Sequence, residues 1–188
     1  MKKNIVAEKV GMPTVSALAG ITNHYADSFE SSIVVGDDQT LDIVTVGRAF
    51  FSSSPKWIEP LFKFRNRLVS IFGLKTDGGA INKEEVIRNF KGNVGDRLGL
   101  FKVFNRTENE LIFGEDDKHL DFRVSLLLAD ANEEQQKLTI STTVHFHNWF
   151  GRLYFLPVQP FHSLIVPAML KGIVRHLEQD VLENSQKK

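Results

Sequence analysis

Three histidines, an aspartate and an arginine fall where a single polar surface could gather them. His119, Asp121 and Arg123 lie on one alternating run, and His145 and His147 on the next. If the turn between the runs centres on Glu133, His119 opposes His147, Asp121 opposes His145 and Arg123 opposes Thr143. Glu115 and Asp117 then approach the end of the patch. His145-x-His147 on one strand face is a spacing that can chelate zinc. A carboxylate beside an imidazole also orients the ring and favours its charged form. The ordinary expectation is a solvated ladder of cross-strand pairs. Metal or acid–base chemistry, and a surface for a ligand or partner, are its alternatives. No serine sits in a strained-turn motif, so Ser-His-Asp catalysis is not expected. No catalytic residue, metal or cofactor is assigned.

The elements that must position these residues are two long strands. Alternate side chains of a strand point to opposite faces. Leu120, Phe122, Val124, Leu126 and Leu128 share one face, while Asp121, Arg123 and Ser125 share the other. In the second run Leu138, Ile140, Val144 and Phe146 are apolar, with Thr142 the exception among them. An antiparallel pair with one packed and one polar face follows.

The chain has 188 residues, 23 basic and 23 acidic, and no cysteine. One domain of this size buries roughly 70% of its unfolded surface. Zero net charge gives no general attraction to nucleic acid or anionic membrane. Without cysteine there is no disulfide or thiolate site, which suits a cytoplasmic protein. Fifteen phenylalanines against two tyrosines imply a core or pocket lined with rings that need no hydrogen bond. No uninterrupted apolar run reaches the roughly 18 to 20 residues of a membrane helix, so no membrane insertion is expected. Residues 1–15 read as an arm on the domain rather than a cleaved signal, 16–182 as the domain and 183–188 as a frayed tail.

In order, 26–35 reads as a strand with Phe29, Ile33 and Val35 on one face. The segment 41–51 reads as a helix capped by Asp38 or Thr40. A second helix begins at Pro55, with Trp57, Leu61, Phe64, Leu68 and Ile71 at helical spacing, a bend near Lys56 or Trp57 imposed by Pro60, and Gly73 past its end. Its far side, with Lys63, Arg65, Asn66 and Arg67, reads as a solvated face, with an anion or lipid-head site or the docking of a redox or regulatory partner as its alternatives. A short helix near 82–90 precedes Gly92, Gly95 and Gly99, which read as turns. The segments 100–106 and 110–114 form a hairpin, and the long hairpin follows. Residues 149–156 make a helical turn punctuated by Pro157 and Pro160. A helix then runs from Phe161 to Leu177, with Pro167 kinking it, and 178–188 fray.

Strand, two helices, antiparallel strands and a long last helix is the order of the START-like, or helix-grip, superfamily. Ala26-Asp27-Ser28-Phe29, Phe62-Lys63-Phe64-Arg65-Asn66-Arg67-Leu68, the run from Gly114 to Arg123 and Gly151-Arg152-Leu153-Tyr154-Phe155 resemble a bacterial family of unknown function in that superfamily. Its domain occurs alone or behind an NAD-binding domain of short-chain-dehydrogenase type, and the resemblance spans residues 16–175. It implies an α+β fold in which the sheet curls around a kinked last helix, leaving a cavity for a small apolar or amphipathic ligand. Phe122, Val124, Leu126, Val144, Phe146, Phe161, Ile165 and Met169 are the expected lining.

Overall fold

A computed structural model of the protein describes residues 4–35, 40–53, 83–98, 100–132 and 134–185. The turn expected at 36–38 and the helix expected from Pro55 to Gly73 lie outside the described residues. Seven strands, β1 (Glu8–Val10), β2 (Tyr25–Val34), β3 (Arg97–Leu98), β4 (Phe101–Arg106), β5 (Glu110–Asp116), β6 (Leu120–Asn132) and β7 (Gln135–Phe146), form one open antiparallel sheet. Their spatial order is β1-β2-β7-β6-β5-β4-β3, so the first long strand closes on the last. Among the described residues the helices are α1 (Ile43–Ser52), α2 (Lys83–Asn89) and α3 (Trp149–Ser185). The fold is α+β, with α3 packed on β2 and β7 and against α1.

The central hairpin has the register read from its pattern. Asp121 faces His145 and Arg123 faces Thr143, and beyond the strand ends the His147 N–H donates to the His119 carbonyl at 2.9 Å. Pairing slips between Asp130 and Asn132. The inner face carries the core. Phe29, Ile140, Leu126 and Leu111 lie side by side on four strands and meet Leu170, Ile173, Val174 and Leu177 of α3. Much of the phenylalanine content is packed core: Phe113 stacks on Phe50 at 5.7 Å and meets Phe51 edge-on at 5.1 Å.

Ahead of β2, β1 pairs along its edge, and Ser16 and Leu18 are buried against the outer face. Three expectations are corrected. The outer face is polar but not wholly solvated. Ser28, Ser125 and Ser141 are nearly sealed at its centre, with Glu110 beside them. The cap of α1 is Asp42, whose carboxylate accepts from Thr45 N at 3.0 Å, rather than Asp38 or Thr40. Finally, α3 begins at Trp149 and passes through Pro157, Pro160 and Pro167. Each proline frees the carbonyl four residues earlier. Those carbonyls belong to Leu153, Leu156 and Ser163, all exposed residues that water can reach. Residues 178–185 stay helical, and the Glu178 carboxylate accepts from the Val34 N–H at 3.1 Å.

Candidate functional site

The outer histidine end holds pairs rather than one constellation. Asp121 Oδ2 meets His147 Nε2 at 2.9 Å, and its Oδ1 accepts from the Asp117 N–H. Arg123 pairs with Asp116 and lies over the Phe104 ring, while Glu115 takes Arg97 at 2.7 Å. The His119 ring meets Asn148 at 3.1 Å and packs on Phe150. His145 stacks near His24, ring centres 4.6 Å apart, and His24 Nδ1 accepts from the Phe146 N–H. Partial desolvation, then the neighbouring His145 and Arg152, hold His24 below the usual imidazole range. Among the described residues no three His, Asp or Glu side chains are grouped to hold a metal ion. His24 escaped the sequence reading because it reaches the patch from the start of β2.

The inner face carries a second polar group, buried where the outer one is open. Asp27 lies on β2 directly opposite Thr142 of β7. Its Oδ2 accepts from the Tyr25 hydroxyl at 2.6 Å and faces His162 Nδ1 of α3 at 3.0 Å. The Asp27 side chain is 3% exposed and that of His162 18%. A carboxylate oxygen only accepts, so it is Nδ1 that donates in this contact. An imidazole oriented in this way can take or give a proton. Asp27 Oδ1 and Thr142 Oγ1 are shut from solvent and have no hydrogen-bond partner among the described residues.

This group lies at a seam. On one side is the main core with Val166, Met169 and Leu170 of α3. On the other is a smaller cluster of Leu120, Val144 and Phe155, with Tyr25, Phe146 and Val158 half-buried around it. Phe122 touches both. The sequence did carry a signal for the seam. Thr142 breaks the apolar face of β7, and Asp27 shares the period-two face of Phe29 and Ile33.

Of the expected lining residues, Val124, Leu126, Val144 and Met169 are buried. Phe122, Phe146 and Ile165 are half-buried. Phe161 is 47% exposed, because a helix that starts at Trp149 turns Phe155, Val158 and His162 inward instead. Two clefts of about 330 and 370 Å³ lie elsewhere. Arg48, Ile87 and His176 help to line the first, and Leu41, Leu177 and Asp180 the second. The helix α3 is long and apolar enough over Trp149–Glu183 to cross a membrane, with an 18-residue window of mean hydropathy 1.3. Counting uninterrupted apolar runs misses it, since single polar residues break a run but barely move an average. One stripe of the C-terminal half of α3 belongs to the core: Leu170, Ile173 and Val174 are sealed against the sheet.

The family described as a protein of unknown function (DUF2867) matches residues 22–169. The chain belongs to that family. The matched span runs from just before β2 into α3 and so holds Tyr25, Asp27, Thr142 and His162 together with the outer histidines. No curated protein matches the chain.

Tyr25 gives the seam a pH signature. Burial, then the hydrogen bond to Asp27 and its charge, push the phenol well above its ordinary range. The fold therefore favours the protonated phenol. That stability is whole below the unfolded-state value near 10 and is lost as pH rises toward the folded value, because the unfolded chain then binds fewer protons. Tyr25→Phe is expected to be about 1 kcal/mol less stable than wild type at neutral pH. The gap should narrow above about pH 10. Urea unfolding of both proteins at neutral and alkaline pH checks this, and a constant gap would count against the Asp27 contact.

Proposed function

We propose that the protein is a non-catalytic, START-like binding protein that takes up a small apolar or amphipathic molecule between the inner sheet face and α3. The observation that carries this reading is the buried seam. An apolar interface between sheet and helix contains two polar atoms, on Asp27 and Thr142, that the described fold leaves unpaired. Buried polar atoms normally have partners, and exceptions concentrate where a ligand or water completes them. The half-buried rings beside the seam support the same reading, since binding sites combine apolar walls with a few convergent polar groups. The outer histidine end is less favoured as a site: its charges are paired and largely open to water, where such pairs contribute about 0 to 1 kcal/mol.

Native mass spectrometry of the freshly purified full chain, with a Nile red titration of the same sample, tests the role. The expected result is a non-covalent mass increment lost on denaturation, or saturable dye uptake by protein free of it. Neither one would mean that the interior is simply packed.

A further inference from the structure

We propose that Asp27 and Thr142 anchor the head of that ligand, and that the head is a hydrogen-bond donor, a hydroxyl or an amine, on an otherwise apolar molecule. This rests on the binding role proposed above. The two residues face each other across β2 and β7, where directly opposed Cβ atoms lie about 4.5–5.5 Å apart. One ligand atom can therefore reach both. Among the described residues the Asp27 carboxylate already holds two donors on Oδ2 and none on Oδ1. A carboxylate oxygen accepts and cannot donate, so the missing partner must bring an O–H or N–H. A threonine hydroxyl does either: it can donate to a ligand oxygen or accept from an ammonium. A carboxylate or ether head would set acceptor against acceptor at Oδ1.

The same rungs give the direction of the apolar body. Toward the main core the next inward residues are Phe29, Ile140 and Leu126, all fully packed. Toward the other end the next rung is Tyr25, Val144 and Phe122, followed by Phe146, and three of these four rings and chains are only half-buried. Phe155 and Val158 of α3 face this stretch. The body therefore lies over Val144 and Phe122 toward Phe146, and the head points to Asp27. A buried water is the other group that could complete both atoms.

The test displaces Nile red from the full-length protein with four probes of one chain length: dodecanol, dodecylamine, dodecyl methyl ether and dodecanoate. The alcohol and the amine are expected to displace the dye at roughly tenfold lower concentration than the ether and the carboxylate. The difference between those two arms identifies the head. In Asp27→Asn and Thr142→Val the preference should disappear while dye binding persists. If Asp27→Asn does not fold, Thr142→Val and the wild-type series still decide. No saturable dye binding overturns the binding role and the anchor with it. Dye binding with four equal competitors overturns the anchor alone and leaves a water between Asp27 and Thr142.

Discussion

Glu110→Ala is expected to lower the unfolding free energy by about 3 kcal/mol and to free the N-terminal arm from the sheet. Glu110 is 4% exposed on the outer face. Its Oε1 accepts from the hydroxyls of Ser16 at 2.6 Å and Ser125 at 2.5 Å, and its Oε2 from the Ala17 N–H at 2.9 Å. Hydrogen bonds to a charged acceptor are worth about 1.5–3 kcal/mol each, less when they share one group. Burying the carboxylate offsets part of that gain. Its deletion, however, leaves the Ala17 N–H and the fully buried Ser125 hydroxyl unpaired, and it removes what fixes Leu18 over the sheet. Glu110→Gln keeps one acceptor and should lose less. Urea unfolding gives the energy, and amide exchange at Ala17 and Leu18 reports the arm. An alanine variant within about 0.5 kcal/mol of wild type, its arm still protected, would show that apolar contacts alone hold the segment.

The arm also marks where the sequence stopped being informative. Period two assigned Ser125 and Ser141 to the polar face correctly, and placing the turn at Glu133 gave the register of β6 on β7, which matching the apolar faces alone leaves open to a slip by two. Neither argument says what covers a face, because the cover comes from residues more than ninety positions away in the chain, as Ser16 does for Glu110. Small hydroxyl residues make a flat surface that suits an arm as well as water. The polar seam was hidden for a related reason. Asp27 and Thr142 each looked like a lone exception within its own strand. Only the pairing of β2 with β7 makes them neighbours, and only the phase of α3 adds His162. That phase was misread because Pro157 and Pro160 were taken as a break. A proline costs a helix most where the carbonyl it frees is buried, and here those carbonyls belong to exposed residues. The outer histidines, by contrast, were legible as neighbours from register alone. Their pairwise geometry was not, since it depends on Asn148, Phe150 and His24 from other elements.

Gly151→Ala should destabilise the protein by about 1–3 kcal/mol, and Gly151→Val by more, although helix propensity predicts the opposite sign for alanine. In an exposed helix interior alanine is favoured over glycine by about 1 kcal/mol. At Gly151, however, an added Cβ would sit 2.2 Å from the His119 carbonyl oxygen and 3.0 Å from its carbon. Both are backbone atoms and cannot swing aside. That carbonyl also accepts the His147 N–H just past the β6–β7 ladder, and Asn148 caps the helix by accepting from the Gly151 N–H at 3.1 Å. Relieving the clash must therefore lift the start of α3, pull His119 from His147, or break the cap. Gly114 is a parallel case: its Cβ would meet the Phe122 carbonyl at 2.2 Å, between β5 and β6. Both glycines belong to the words that carry the family resemblance, so part of that resemblance is accounted for by close backbone approach rather than by chemistry. Thermal unfolding checks this, with Gly11→Ala, a non-helical position where a Cβ meets nothing within 4 Å, as the clash-free comparison. A more stable Gly151→Ala would mean that the helix start does not rest on His119, and the inward phase assigned to Phe155 and His162 would lose its anchor.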